Sequence, residues 1–266
     1  LDSESLSYGL FLQQPLSRSD DFNSSFAGTV DFKRMEDNAS GFQLSRREIL
    51  SSSFSYSGNA RDRFGGFDVW SLSGTLGNLD LTTNPSFTGV DASTANTRGG
   101  FAKVNWDFGR LARLGDTDWT FYLGLRGQFA SKNLDSSEKL QLGGPDGVRA
   151  YPVGEGLGDH GYIGTAELRR SFALGGLGEG QFFAFADLGG ITQYADPWQT
   201  APASGVPNSY SLSGAGLGAS LNGRYGSLSL TAARKLGDNP NPGPGNTDAD
   251  GTDDQVRIWI IGNLVF

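Results

Sequence analysis

The feature that most constrains this chain is a period of two that returns segment after segment without ever building a long apolar run. Leu6, Tyr8, Leu10 and Leu12 alternate with Ser7, Gly9, Phe11 and Gln13, and Pro15 is expected to stop that run. Phe22, Phe26, Val30 and Phe32 alternate with Asn23, Ser25, Thr29, Asp31 and Lys33. The same holds for Trp70–Leu72–Gly74–Leu76, for Ala102–Val104–Trp106–Phe108, and for Trp119–Phe121–Leu123–Leu125. Such segments return roughly every twenty residues, a pattern too weak per segment for a soluble core and typical of transmembrane strands. No stretch of about 18 apolar residues exists, which excludes helical membrane spans. The expected fold is all-β: an antiparallel, up-and-down transmembrane barrel with about eleven strands in this chain.

Connection lengths supply a second, independent constraint. Long polar connections fall near 78–96, 132–161, 193–209 and 237–254, and short ones near 110–117, 173–180 and 222–225. Long and short alternate, as in barrels with long extracellular loops and short periplasmic turns. A soluble sandwich has no reason to keep that parity, and no blade repeat supports a propeller. One segment is ambiguous: the face carrying Leu50 and Phe54 also carries Arg46 and Glu48. Either a bulge rotates the strand there, or those charges stand above the bilayer. No second domain or linker is visible. With the C-terminus on the periplasmic side, an odd strand count leaves Leu1 outside, so further strands are expected upstream. Residues 1–5 show no basic segment followed by an apolar one, so any targeting segment is expected earlier still.

Composition removes several classes of function. The chain has no Cys and a single His, His160, which excludes thiol chemistry and leaves no zinc set. A net charge of −8 without a basic patch argues against nucleic acid. The run Asn246-Thr-Asp248-Ala-Asp250-Gly251 opens like a calcium loop, but the twelfth position is Arg257 where a Glu is required, so a solvated acidic loop is expected. Gly214, Gly216 and Gly218 are spaced like part of a dinucleotide motif but sit in a strand with no following helix. No catalytic set, cofactor or metal is expected.

The stretch 140–170 reads LQLGGPDGVRAYPVGEGLGDHGYIGTAELRR. Its glycine-rich beginning is a loop, and its end alternates Ile163, Thr165, Glu167 and Arg169 against Tyr162, Gly164, Ala166 and Leu168. The run GG-x-x-x-VR-x-Y, then GEGLGD-x-G, then ELR closely resembles the sixth extracellular loop and next strand of the two-partner secretion transporters (TpsB family). That family lies within the outer-membrane protein insertase superfamily. Phe185-Ala186-Asp187-Leu188-Gly189 resembles the family's F-x-D-x-G strand motif. The resemblance implies a barrel of about sixteen strands, of which residues 1–266 are the C-terminal portion. The earlier strands and the periplasmic POTRA domains would then lie outside this chain.

The resemblance also implies that the loop of about 132–161 folds into the lumen and that Arg149 pairs with Asp187. Alternation independently puts Phe185, Asp187 and Gly189 on the lumen face, with Glu167 beside them. Tyr151 and Phe185 are expected to shield the pair. The family loop reads VRGY, with Ala150 here in place of that Gly; if the loop needs a backbone shape that only Gly adopts freely, it is held less firmly, and the sequence leaves this open. Lys103, Asp107, Arg126 and Arg169, with Asp31 and Lys33, are expected to line the lumen. Every barrel interior needs such residues, so they do not by themselves distinguish a pore. Trp70, Trp106, Trp119 and Tyr162 fit either an interfacial girdle or ordinary strand packing. A terminal Phe266 resembles the signal that barrels show to their assembly machinery.

By resemblance, then, the chain would belong to an ATP-independent outer-membrane pore in Gram-negative cells. Its partner would be one large secreted exoprotein, of the adhesin, haemolysin or contact-toxin class. Outer-membrane lipid and lipopolysaccharide would surround it, and the barrel assembly machinery would insert it. The alternatives are an insertase for other barrels, a passive porin or structural barrel, and the barrel of a fused autotransporter.

Overall fold

The computed structural model describes residues 2–39, 42–81, 85–203 and 205–265. Its main element is one antiparallel sheet of eleven strands, ordered β1-β2-β3-β4-β5-β6-β9-β10-β11-β12-β13. These are β1 Asp2–Arg18, β2 Phe22–Ala39, β3 Phe42–Arg61, β4 Gly66–Asp80, β5 Gly99–Arg113, β6 Trp119–Ala130, β9 His160–Ala173, β10 Glu179–Thr192, β11 Ser209–Gly223, β12 Gly226–Lys235 and β13 Val256–Leu264. Two short strands, β7 Leu140–Gln141 and β8 Leu157–Gly158, form a separate ladder inside the long connection between β6 and β9. Each wall strand pairs with its sequence neighbours, as an up-and-down meander requires, and β1 and β13 are the two edges.

The sheet curls. Its inward face touches one loop from many sides: Lys33 of β2 reaches Glu138, and Trp259 of β13 reaches the carbonyl of Arg149. In a flat sheet β2 and β13 would lie on the order of 40 Å apart, at about 4.8 Å per strand. Outward residues stay apolar and exposed, among them Leu72, Leu76, Phe129, Leu188, Leu217, Ile258 and Ile260. The inverse burial of the two faces is the arrangement a lipid-facing wall needs.

Glycine is placed where an aromatic ring must lie flat across the neighbouring strand. A Cβ at Gly58 would come within 2.5 Å of Trp70, one at Gly127 within 2.4 Å of Trp106, and one at Gly190 within 2.8 Å of Tyr162. These outward rings therefore pack directly on the backbone next to them, the device that compensates strand glycines.

Two local expectations are corrected, and one open alternative is narrowed. Pro15 does not stop β1: the strand runs on to Arg18, and the register slips between Pro15 and Ser17 to accommodate the proline. The connection after β4 contains a helix, α1 Pro85–Ser93, with Pro at its first position. Arg46 and Glu48 remain in phase with Leu50, because the irregularity lies farther out, between Asp37 and Asn38. They are neutralised on the outward side by Arg34, 2.9 Å from Glu48, and by Glu36, 3.4 Å from Arg46. Phe266 lies outside the described residues.

Candidate functional site: a loop anchored inside the wall

The connection between β6 and β9 is a finger that folds on itself before it meets the wall. The N–H of Leu142 donates to Gly156 O (2.8 Å), that of Gly144 to Tyr151 O (3.0 Å), and that of Val148 to Leu142 O (2.7 Å). Glycine makes the fold-back possible: a Cβ at Gly147 would sit 1.9 Å from the carbonyl oxygen of Leu142. The finger buries Leu142, Val148, Ala150 and Tyr151 against Ile163, Phe185, Ile191, Tyr210, Leu212 and Ala233 of the wall. Gly189 leaves the space they use, since a Cβ there would lie 2.9 Å from Leu142 and 3.1 Å from Val148. At the other end of the loop, Leu134 enters a second cluster with Ile49, Leu79, Leu81, Phe101 and Ala130.

Arg149 stands at the tip. Its Nε and Nη2 donate side-on to Asp187 Oδ2 (2.9 Å) and Oδ1 (2.8 Å), and its backbone N–H also donates to Oδ2 (3.1 Å). Nη1 donates to Glu167 (2.6 Å) and Nη2 to the Thr165 hydroxyl (2.8 Å). The guanidinium lies 3.5 Å from the centre of the Phe185 ring. Glu167 is held in turn by Arg169 at 2.7 Å. Thr165 also bonds Asp187. The Asp187 side chain is fully buried and that of Arg149 is 11% exposed, so this is an interior ion pair with its donors satisfied.

The structure thus brings Arg149, Asp187, Phe185, Gly189, Glu167 and Arg169 into one cluster. Tyr151 joins it differently from expectation, because its buried ring faces the Lys235 ammonium at 5.2 Å rather than the guanidinium. Ala150, left open by the sequence, needs no special backbone shape. It does not adopt a positive φ, and its Cβ lies so close to Gly214 that a Cβ on Gly214 would stand 2.5 Å away. The methyl is accommodated by the glycine opposite.

Lys103 faces inward as alternation requires, but it is not a free lining residue. It holds Glu138 at 2.9 Å, together with Lys33 at 2.9 Å. Burial opposes ionisation of Glu138, yet the two ammonium groups outweigh it and leave its pKa below the ordinary carboxylate range. Asp107 and Arg126 line a gap of about 400 Å³ between β5–β6 and the finger, which Asp146, Arg149 and Glu167 also border. Arg126 Nε is buried there without a hydrogen-bond partner among the described residues.

Sequence reasoning missed several anchors. Glu138, Asp159, Thr165, Lys235 and Trp259 all hold the loop or its neighbours. Asp159 is fully buried and accepts from Leu134 N (2.9 Å) and Ala195 N (2.9 Å) while pairing with Lys139 at 3.1 Å. Burial pulls the pKa of Lys139 below its ordinary value, against the pull of Asp159. Alternation alone would have placed Trp259 and Lys235 inward, but nothing local marks which loop they meet. The acidic loop is corrected as well: Asp248 is buried, not solvated, with Lys235 at 2.6 Å and Arg257 at 3.1 Å. Its carboxylate is engaged by these cations, and the described residues hold no group of acidic or His side chains able to bind a metal ion.

Known proteins share this curled sheet. The family model of the haemolysin secretion/activation proteins ShlB/FhaC/HecB matches residues 3–221. The chain belongs to this family. Two-partner secretion transporters of this kind are β-barrels of the Gram-negative outer membrane, and each works with a secreted exoprotein. The heme/hemopexin transporter protein HuxB of Haemophilus influenzae is 27% identical over 240 residues, covering 88% of this chain and 41% of HuxB. CdiB from Escherichia coli superposes with a TM-score of 0.75 at 20% identity, over 97% of this chain and 45% of CdiB. CdiB from Acinetobacter baumannii gives 0.68 at 17% identity, over 98% and 42%. At these identities the two structures speak for the fold. The chain spans about two-fifths of the length of the curated relatives it matches.

Proposed function

We propose that this chain is the C-terminal portion of an outer-membrane pore that exports one large exoprotein without ATP, and that the Arg149 finger holds the pore in its competent state. The observation that carries the reading is the finger itself. A passive barrel does not need a loop tip fixed by a buried side-on ion pair, a second carboxylate and an aromatic face. Further strands upstream would close the sheet between β1 and β13, because an unpaired edge is not tolerated in hydrocarbon. POTRA domains upstream would take hold of the substrate. The channel works as a conduit rather than a catalyst, with no cofactor. Asp107, Arg126 and Arg169 line the path, and Lys103 holds the loop beside it. Outer-membrane lipid and lipopolysaccharide bound the wall, and the barrel assembly machinery recognises Phe266 as its signal.

The test is site-specific photo-crosslinking in the full-length transporter with a stalled exoprotein. A crosslinker at Asp107 or Arg126 is expected to capture the exoprotein, and one at outward-facing Phe121 is not. Capture at Phe121 alone would overturn the path.

A further inference from the structure

Away from the finger, the outward wall carries a second built feature at its short-turn end. A groove of about 690 Å³ is lined by Asp118, Arg170, Phe172, Glu179 and Phe182, among others. Phe172 and Phe182 stack across β9 and β10 with centroids 5.0 Å apart, and Phe182 is 60% exposed. By strand parity they share the outward face with Leu168 and Leu188, so the stack offers an apolar surface to lipid.

The polar groups of the groove are charged and exposed. Arg170 is exposed, lies 5.6 Å from the Trp119 ring centre, and pairs with no carboxylate among the described residues. Asp118 and Glu179 line the same groove, and neither has an ion-pair partner among the described residues. Inside the sheet, Glu138 and Asp248 are closely neutralised. Here a cation and two carboxylates share a groove unpaired, beside an apolar stack. That set complements a ligand with one negative charge, one positive charge and a chain.

We propose that this groove binds a phosphatidylethanolamine from the periplasmic leaflet. The phosphate meets the Arg170 guanidinium, whose planar fork suits phosphate oxygens. The headgroup ammonium donates to Asp118 and Glu179, and an acyl chain lies along Phe172 and Phe182. Phosphatidylglycerol lacks the cation that two carboxylates require. Phosphatidylcholine has a quaternary ammonium with no N–H to donate.

The experiment uses the full-length transporter in detergent and native mass spectrometry, with dioctanoyl forms of the three phospholipids and inorganic phosphate as probes. Retention of the ethanolamine lipid is expected to exceed that of the glycerol lipid by about tenfold, and Arg170→Gln is expected to lower it about tenfold. The Asp118→Asn/Glu179→Gln double variant keeps lipid binding but loses the preference for ethanolamine, and it carries the test if Arg170→Gln fails to give the heat-modifiable folded form. Arg224→Gln, at another turn, leaves retention unchanged. Equal retention of the ethanolamine and glycerol lipids, displacement by inorganic phosphate, or an equal loss in Arg224→Gln would overturn the site. None of these readouts depends on export.

Discussion

Removing Arg149 is the sharpest perturbation the structure offers, because the cost is computable from what stays behind. In Arg149→Ala, Asp187 keeps only Thr165 as a side-chain partner among the described residues, with its side chain still fully buried. Glu167 retains Arg169 at 2.7 Å and is less exposed to the loss. Surface ion pairs are worth about 0–1 kcal/mol, but this one is interior, and breaking one partner of a buried pair costs about 3–5 kcal/mol. The penalty falls on the docked loop, not on the wall, whose strands pair independently of it. The finger should therefore open more often while the barrel stays folded. With about 3 kcal/mol lost, amide hydrogen exchange at Leu142, Val148 and Tyr151 should accelerate by on the order of a hundredfold. Strand amides of β9 and β10 should not change. Asp187→Ala should cost somewhat less, since Arg149 then keeps Glu167 at 2.6 Å. The double variant should resemble Arg149→Ala alone, giving a coupling of about 2 kcal/mol or more. Losses that add to within about 0.5 kcal/mol, or an unchanged exchange rate in Arg149→Ala, would show that the pair does not hold the finger.

The remaining expectations follow from particular contacts. Gly189→Ala drives a methyl against Leu142 and Val148 and should weaken docking by about 1–3 kcal/mol, seen as faster exchange at those two amides; unchanged rates would refute the packing. Ala150→Gly should weaken the loop by roughly 0.5–1 kcal/mol, because the methyl is seated over Gly214 and no positive φ is needed; tighter docking would refute this. The hydrogen bond from Arg257 holds the pKa of Asp250 down at about 2. A depressed carboxylate pKa stabilises above its unfolded value and loses that contribution as pH falls from about 4 towards 2. A spin label in the last loop should therefore gain mobility across that window, and Arg257→Gln should abolish the transition. Chelator or millimolar calcium should leave the thermal midpoint within about 2 °C, because Lys235 and Arg257 already engage the carboxylate of Asp248.

What the sequence determined by itself was the wall. Period-two patterning needs only neighbouring residues, since successive side chains point to opposite faces whatever lies beyond them. Hence the faces of β9 and β10, including Glu167, Phe185, Asp187 and Gly189, were legible before any coordinate. The glycine-rich finger was legible as a loop for the same local reason. Tertiary structure decided everything that depends on curvature. Only when the sheet curls does Lys33 of β2 come to the same loop as Trp259 of β13, more than two hundred residues away. Pro15 was misread because a register slip against β2 lets the strand continue past it, which is a fact about the sheet and not about proline. Ala150 could not be read from the sequence because its methyl is accommodated by Gly214, on a strand the loop meets only in three dimensions. Asp248 looked solvated for a similar reason: its acidic neighbours are local, whereas Lys235 and Arg257 reach it only when β12 and β13 pair. Spacing along the chain fixes which way a side chain points, and closure of the sheet fixes what it meets.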